Sequence, residues 1–238
     1  MHGLQKDSEV SSKKRIAKFL INDCGLRKLY GGKLQKIIRS VLDEIDLQHV
    51  RDSEACSSFA GRLEMWRDVQ NRFVSDAAVD YLEFGVFEGE SMQWWTRLNT
   101  HESSRFFGFD SFEGLPEDWH GEKGKGYFDV SGRLPPIEDP RVTFVKGWFE
   151  DTLPSFIRDF SVKNLLVVHI DCDLYGGAML ALVHLAPFLT KGTILIFDEF
   201  FDRENEFKAF MDWQRIYRKN IRVVGQVENY AQICVQLQ

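Results

Sequence analysis

An α/β fold, an open and doubly wound sheet covered by helices on both faces, is predicted for the chain beyond residue 75. From Val79 onward, short apolar runs alternate with longer helical stretches. Several of the runs are apolar at every position, as buried parallel strands are when helices cover both faces of a sheet. The alternation of strand and helix favours parallel strands joined by crossover helices.

Five strands and three crossover helices follow in order along the chain. The strand segments, rich in Val, Ile and Phe, are VDYLEF, RFFGFD, VTFVKG, NLLVVHID and GTILIFD. The helical segments between them are ESMQWWTRLN, EDTLPSFIRDF and AMLALVHLAPFL. One long irregular segment, residues 111–140, follows the second strand. A connection of this length is usually a lid or a binding loop, and its aromatic residues favour an ordered one.

The end of the chain departs from strict alternation. After an amphipathic stretch, the runs IRVVGQVE and AQICVQL are joined only by Asn229 and Tyr230. So short a connection makes a hairpin, so the last strand is expected to run antiparallel. The prediction is a Rossmann-like doubly wound seven-stranded sheet with an antiparallel last strand. This is the arrangement of class I methyltransferases, whereas a dinucleotide-binding Rossmann sheet is parallel throughout.

The first third of the chain is predicted to be a helical layer without a strand. In KLQKIIRSVLDEI the apolar residues recur at spacings of three and four, which marks one face of a helix. A second segment of this kind, FAGRLEMWRDVQNRF, follows. The expected organisation is a helical cap over residues 1–75 and a Rossmann-like domain over residues 76–238.

Composition excludes several classes of protein. A formal net charge of −6 and a pI near 5.6 lack the basic stripe of a nucleic-acid binder. No window approaches the roughly 20 apolar residues of a membrane span, and the first residues lack the apolar core of a signal peptide. The four cysteines are far apart and form no CxxC pair, which favours reduced thiols and a cytoplasmic protein.

Polar residues stand at the carboxyl ends of the predicted strands, where an open parallel sheet binds its ligand. In chain order these are Glu83 with Gly85 and Gly89, Asp110, Gly147 with Trp148, Asp171 with Asp173, and Asp198 with Glu199. They are the candidate site residues.

The first loop, EFGVFEG, favours an adenosine cofactor without a pyrophosphate. It lacks the G-x-G-x-x-G fingerprint of dinucleotide sites, and Glu83 would repel a pyrophosphate. S-adenosylmethionine carries no phosphate, and its sulfonium and ammonium groups suit nearby carboxylates. The alternative is that Gly85 and Gly89 only turn the chain.

Two further strand ends suit the same cofactor. Asp110 lies 21 residues after Gly89, where a carboxylate can accept both ribose hydroxyls. Its alternative role is a turn cap ahead of Ser111. Trp148 directly follows a strand and is the candidate for stacking on adenine. The tryptophans at 94 and 95 are interpreted as core residues of the first crossover helix.

The acids after the fourth and fifth strands predict a cation site. Adjacent strand ends would bring Asp171, Asp173, Asp198 and Glu199 together, which requires a cation or raised pKa values. Hard oxygen ligands point to Mg²⁺, which could bind two vicinal substrate oxygens while a carboxylate takes the proton of a hydroxyl. The alternative is a set of solvated strand ends. His169, inside the fourth strand, is interpreted as a core residue and left out of the site.

These segments resemble the macrocin O-methyltransferase family, class I methyltransferases that use S-adenosylmethionine. The matching stretches, in order between about residues 80 and 200, are LEFGVFEGES, FFGFDSFEGLPEDW, FVKGWFEDTLP, HIDCDLY and GTILIFDEF. The resemblance implies cofactor contacts at Glu83, Gly85, Ser91, Asp110, Ser111 and Trp148. It also implies that Asp171 is a metal ligand and the proton acceptor, and that Asp198 and Glu199 complete the Mg²⁺ site. Asp173 is our second candidate for the proton acceptor. Sugar-modifying members often carry two aspartates where this chain has Asp198 and Glu199.

The leading hypothesis is an S-adenosylmethionine-dependent O-methyltransferase, assisted by Mg²⁺, that acts on a hydroxyl of a sugar or other polyol. Its expected partner is a small-molecule acceptor, with self-association through the N-terminal helices. Two alternatives stay open: an NAD-dependent oxidoreductase on a related fold, and a non-catalytic member that binds cofactor.

Overall fold

The computed structural model describes residues 57–238 and arranges them around one eight-stranded sheet. The strands lie side by side in the order β4-β3-β2-β5-β6-β8-β7-β1. Their bounds are β1 Ser57–Phe59, β2 Val79–Phe84, β3 Arg105–Asp110, β4 Val142–Lys146, β5 Leu165–Ile170, β6 Ile194–Asp198, β7 Ile221–Val227 and β8 Gln232–Leu237.

Five α-helices cover the two faces of this sheet. They are α1 Arg62–Val69, α2 Glu90–Leu98, α3 Phe149–Asp159, α4 Tyr175–Leu185 and α5 Glu206–Tyr217. One turn of π-helix, Gln70–Val74, continues α1. The three predicted crossover helices correspond to α2, α3 and α4, and the α/β prediction is confirmed. The predicted helix within KLQKIIRSVLDEI lies outside the described residues.

The antiparallel end of the sheet is as predicted. Strands β2 to β6 pair in parallel, and β8 runs antiparallel to both β6 and β7. A short 3₁₀ turn, Glu228–Tyr230, joins β7 to β8. A fully parallel sheet, which the dinucleotide hypothesis requires, is therefore not present.

One strand was not predicted from the sequence. Residues Ser57–Phe59 form β1, which pairs in parallel with β7 at the edge of the sheet. The expectation of no strand before residue 76 was wrong here, and the sheet has eight strands rather than seven. Three residues are too few to show a strand pattern, so the partner strand β7 specifies this pairing rather than local sequence.

Alternation along the strands separates two apolar layers. On one face, Leu82, Val168 and Phe197 pack against α3, α4 and α5. On the other face, Tyr81 and Ile196 pack with residues of α1 and α2. Successive side chains of a strand point to opposite faces. Each polar residue at a strand end therefore lies on the face that this alternation gives it.

Between residues 57 and 238, no helix combines the length and apolarity needed to cross a bilayer. The two cysteines in this range, Cys172 and Cys234, are thiols.

Asp80 ties together the amino ends of three strands. The guanidinium of Arg105 donates two hydrogen bonds to its carboxylate, Nε to Oδ1 at 2.8 Å and a terminal nitrogen to Oδ2 at 2.7 Å. The backbone N–H of Lys163 and the side-chain amide of Asn164 add bonds of 2.7 and 2.9 Å. Burial by itself would raise the pKa of Asp80, but these donors outweigh burial and lower the pKa.

We expect Asp80→Ala to lower the free energy of unfolding by about 3–5 kcal/mol, because it leaves the Arg105 guanidinium without its buried partner. Asp159→Ala is the matched control, because its contact with Arg158 is exposed and worth under about 1 kcal/mol. Urea titration followed by circular dichroism measures both. A change for Asp80→Ala as small as the control would contradict the role of Asp80.

The same measurement has a predicted pH dependence. The folded-state pKa of Asp80 is lower than its value in the unfolded chain, about 3.9. Its stabilising contribution is therefore complete above that pH and is lost as the pH falls through the folded-state pKa. The stability difference between wild type and Asp80→Ala should narrow below about pH 4.

Candidate functional site

The glycine loop between β2 and α2 packs directly against the end of β5. Gly85 has a φ of +89°, and a Cβ there would lie 1.7 Å from the carbonyl oxygen of Asp171. Gly89, the residue before α2, has a φ of +80°, and a Cβ there would lie 2.8 Å from Pro135. Both glycines therefore turn the chain, as the alternative interpretation of this loop also expects. The turn also brings the loop to the acidic strand ends.

Glu83 lies beneath this loop and is completely buried. Its Oε1 accepts a hydrogen bond from the hydroxyl of Ser91, while Oε2 has no hydrogen-bond partner. Burial raises the pKa of Glu83 well above its usual value, and the charges of Asp171 and Asp110 raise it further. Glu83 thus joins β2 to α2 through Ser91 and lies beside the acids at the strand ends.

Asp110 holds the glycine loop by its backbone. Its Oδ2 accepts hydrogen bonds from the N–H groups of Val86 and Phe87, both at 2.8 Å. Its Oδ1 accepts one from the N–H of Phe112 at 2.7 Å. The turn-cap alternative is therefore observed, and a ribose would have to use the remaining acceptor capacity of the carboxylate.

Ser111 and Trp148 follow neighbouring strands β3 and β4. The Oγ of Ser111 accepts a hydrogen bond of 3.1 Å from the N–H of Glu113 and is buried. Trp148 is half-buried at the residue before α3, where its carbonyl accepts a bond of 3.1 Å from the N–H of Thr152. Both residues lie at the predicted edge of the sheet.

Three aspartates meet at the ends of β5 and β6. One carboxylate oxygen of Asp171 and one of Asp198 lie within 4.8 Å of each other, and Asp173 and Asp198 are each only 8% exposed. Burial raises the pKa of Asp171 to about 6 and that of Asp173 to about 8. Burial, followed by the charges of Asp171 and Glu199, also raises the pKa of Asp198. The predicted convergence of these acids is what the structure has.

Two basic residues that the sequence analysis did not select lie near these acids. Arg62, at the start of α1, has a terminal nitrogen 3.9 Å from Oδ2 of Asp198 and forms a 2.6 Å salt bridge with Glu90. Lys123 belongs to the 111–140 loop. Its positive charge opposes the rise that burial causes in the pKa of Asp171 and Asp173. No motif marks either residue, because each reaches the site from a different part of the chain.

Glu206 is an acidic residue of this site that the sequence analysis missed. It is fully buried at the start of α5, and its Oε1 accepts hydrogen bonds from the N–H groups of Cys172 and Asp173 at 3.0 and 3.1 Å. Asp173 has a φ of +65°, an uncommon conformation for a residue other than glycine. Glu206 therefore fixes the backbone that presents Asp171 and Asp173.

Three residues in the described part of the chain could together supply ligands to a metal ion. One ligand atom each from His169, Asp171 and Asp198 lie within 4.8 Å of one another. Glu199 does not belong to this group in residues 57–238. His169 is fully buried, as predicted for a core residue, and burial lowers its pKa to about 3.

The 111–140 loop is anchored beside the acidic residues. The Oδ2 of Asp202 accepts bonds of 3.0 Å from Trp119 Nε1 and 2.7 Å from Asn205 Nδ2, and it lies 2.6 Å from His120 Nε2. Phe112, near the start of the loop, is completely buried. The loop is therefore packed against the connection between β6 and α5, next to Asp198 and Glu199.

The family follows from comparison with known sequences. A family model described as macrocin-O-methyltransferase (TylF) matches residues 58–236. The chain belongs to this family. The matched range contains every candidate site residue named above, and the resemblance seen in the strand-end motifs is confirmed.

Relatives with sequences similar to this TylF-family chain are O-methyltransferases of natural products. A Streptomyces olivaceus enzyme named 8-demethyl-8-(2,3-dimethoxy-alpha-L-rhamnosyl)-tetracenomycin-C 4'-O-methyltransferase is 32% identical over 145 residues, which are 51% of this chain and 52% of the relative. The demethyldecarbamoylnovobiocin O-methyltransferase of Streptomyces niveus is 26% identical over 178 residues, 63% of this chain and 66% of the relative. The alignment with the first relative thus spans about half of its length.

Solved structures support the fold of this TylF-family member. The O-methyltransferase NovP gives a TM-score of 0.57 at 22% identity, covering 74% of this chain and 78% of NovP. The calicheamicin methyltransferase CalS11 gives 0.55 at 20% identity, covering 96% of this chain and 92% of CalS11. At these identities the likeness shows the fold, which is that of class I methyltransferases.

We expect Gly85→Ala to lower the free energy of unfolding by at least about 3 kcal/mol, because a Cβ would overlap the Asp171 carbonyl and φ is positive. Gly176→Ala is the matched control: it lies inside α4 with nothing within 4 Å of its added Cβ. The control should stabilise the protein by up to about 1 kcal/mol. Urea unfolding compares the two, and a tolerated Gly85→Ala would refute the close approach of the loop.

Proposed function

We propose that this chain is an S-adenosylmethionine-dependent O-methyltransferase that acts on a hydroxyl of a sugar or other polyol, with assistance from Mg²⁺. The single observation that carries the proposal is the cluster of half-buried Asp171 with buried Asp173 and Asp198 beside the glycine loop, in a member of the TylF family. The sugar acceptor is supported by a relative whose name places its reaction on a rhamnosyl-bearing compound.

The cofactor site is proposed at the glycine loop and the ends of β2, β3 and β4. S-adenosylmethionine supplies an activated methyl group on a sulfonium cation. The surroundings suit a cation, because the negative charges of Asp110 and Asp171 raise the pKa of Glu83, and the charge of Asp110 also raises the pKa of Asp171. We assign the contacts to Glu83, Gly85, Gly89, Ser91, Asp110, Ser111, Trp148 and Asp171. Glu83 would act mainly by holding Ser91 and the loop, because it is fully buried.

The proposed Mg²⁺ site fits the acids at the ends of β5 and β6. Carboxylates packed this closely repel one another when ionised, and a divalent cation would offset that repulsion. We assign Asp171, Asp198 and Glu199 as its oxygen ligands. When bound, Mg²⁺ supplies a positive centre that orients substrate oxygens and lowers the pKa of a hydroxyl.

The proton of the acceptor hydroxyl is assigned to Asp171, with Asp173 as the second candidate. A general base works best when its pKa lies near the working pH, and burial raises the pKa of Asp171 to about 6. The backbone carbonyl of Asp171 also lies against the glycine loop, so this residue adjoins the proposed cofactor site. Glu206 holds the backbone of this segment in place.

The acceptor is proposed to lie under the 111–140 loop. Phe87 of the glycine loop contacts Phe128 at 5.3 Å between ring centroids, and Tyr127 contacts Phe128 at 4.6 Å. Phe87 and Tyr127 are 38% and 44% exposed, so apolar ring surface is available at the glycine loop. Such surface can pack against the C–H face of a sugar, while the acids receive its hydroxyls.

Calorimetry with S-adenosylmethionine tests the cofactor assignment. We expect binding both with Mg²⁺ and with EDTA, and an affinity that changes between them because the cation alters the charge beside the sulfonium. The absence of binding in both conditions would defeat the proposal. Equal affinity in both conditions would be consistent with the proposed methyltransferase activity but would contradict the proposed role of Mg²⁺.

Asp171→Asn tests the catalytic assignment. We expect methyl transfer to a panel of glycosides and polyols to fall by about 10²–10⁴-fold, because the amide cannot accept the proton. Cofactor affinity should fall by much less than the transfer rate, because Asp171 is one of eight assigned cofactor contacts. The control Asp159→Asn changes an exposed residue of α3 and should transfer methyl groups at the wild-type rate. Transfer by Asp171→Asn at the control rate would refute the role of Asp171.

A further inference from the structure

One nitrogen of the buried His169 ring has no hydrogen-bond partner. His169 lies on β5 with no exposed surface, and its Nδ1 is 2.9 Å from the hydroxyl of Tyr81. Its Nε2 has no partner. Buried polar atoms are nearly always hydrogen-bonded, so an orphaned ring nitrogen calls for a partner that is not a protein group.

The contact at Nδ1 is compatible with a lone pair on Nε2. Nδ1 lies 2.9 Å from the Tyr81 hydroxyl oxygen, which can accept the N–H of Nδ1 or donate to that nitrogen. In the tautomer with the proton on Nδ1, the neutral ring has its lone pair on Nε2. A cation that binds Nε2 selects this tautomer and leaves the contact with Tyr81 in place.

The His169 ring lies next to the carboxyl groups of Asp171 and Asp198. His169, Asp171 and Asp198 each offer one ligand atom, and the three atoms lie within 4.8 Å of one another. Ligands of one cation at about 2.1 Å stand about 3–4 Å apart, so a small contraction would close the group around an ion. Since Nδ1 is engaged on the β2 side, Nε2 is the nitrogen available for this purpose.

We propose that His169 is a nitrogen ligand of the divalent cation through Nε2, together with Asp171 and Asp198, and that the site therefore binds Mn²⁺ more tightly than Mg²⁺. The proposal rests on the metal-assisted function above and changes its metal preference. Imidazole suits first-row transition ions, whereas Mg²⁺ favours all-oxygen sites. The Tyr81 hydroxyl, 2.9 Å from Nδ1, would orient the ring, as the hydrogen-bond partners of ligating histidines do.

The test uses the full chain, purified without a polyhistidine tag, and Mn²⁺ as the probe. Titration followed by the electron paramagnetic resonance signal of free Mn²⁺ gives the affinity, and Mg²⁺ competition gives the preference. Pulsed measurements on the bound ion report directly coordinated ¹⁴N. We expect ¹⁴N modulation in the wild type and at least a tenfold preference for Mn²⁺ over Mg²⁺.

Variants separate the ligand from its surroundings. His169→Gln should lose the ¹⁴N modulation and at least about tenfold in Mn²⁺ affinity, with a smaller loss for Mg²⁺. Tyr81→Phe keeps the ring packing but removes the hydroxyl, and it should weaken Mn²⁺ while retaining the modulation. His184→Gln is the matched control, because this histidine of α4 bonds only the Leu180 carbonyl in the described chain, and it should change neither quantity.

Bound Mn²⁺ without ¹⁴N modulation in the wild type would overturn the proposal, as would no Mn²⁺ binding. The wild-type spectrum decides this even where His169→Gln fails to fold. Calorimetry with S-adenosylmethionine on the same samples separates the two proposals. Mn²⁺ with ¹⁴N modulation but no cofactor binding would sustain the His169 ligand and defeat the methyltransferase. Cofactor binding without Mn²⁺ binding would do the reverse.

Discussion

Mutual repulsion among buried carboxyl groups constrains the whole carboxyl edge of the sheet. Asp171, Asp173 and Asp198 are brought together by the ends of β5 and β6, and burial raises the pKa of each. Such a group is costly to ionise without a neighbouring cation or sufficient hydrogen bonds. The surrounding structure meets that cost with the guanidinium of Arg62 and the ammonium of Lys123.

The rest of the site is arranged around these acids. The glycine loop can reach them because Gly85 has no side chain where the Asp171 carbonyl lies. Asp110 fixes that loop by accepting N–H groups of its backbone. Glu206 fixes the segment that follows β5 in the same way, from α5. Backbone hydrogen bonds to carboxyl groups thus set the position of both loops before any ligand binds.

The two faces of the sheet contribute differently to this edge. The face under α3, α4 and α5 is an apolar layer with aromatic stacks such as Phe84 on Phe109, 4.7 Å between ring centroids. The face under α1 and α2 includes a polar line of Tyr81, Glu83 and His169 that runs up to Asp171. Alternation along β2 and β5 places these residues on one side, so the buried line leads from the core to the acids. The loop that closes over the other side of the acids is fixed by Asp202.

The sequence by itself determined the α/β architecture, the antiparallel last strand, the family and the acidic strand ends, because these depend on local periodicity, on connection length and on motifs contiguous in the chain. It could not reveal β1, whose three residues pair with a strand more than 160 positions later. Nor could it place Arg62, Lys123, Glu206 or the orphaned nitrogen of His169 at the acids. Their roles depend on distances between segments far apart in sequence, and only the packing of helices and loops on the sheet decides those distances.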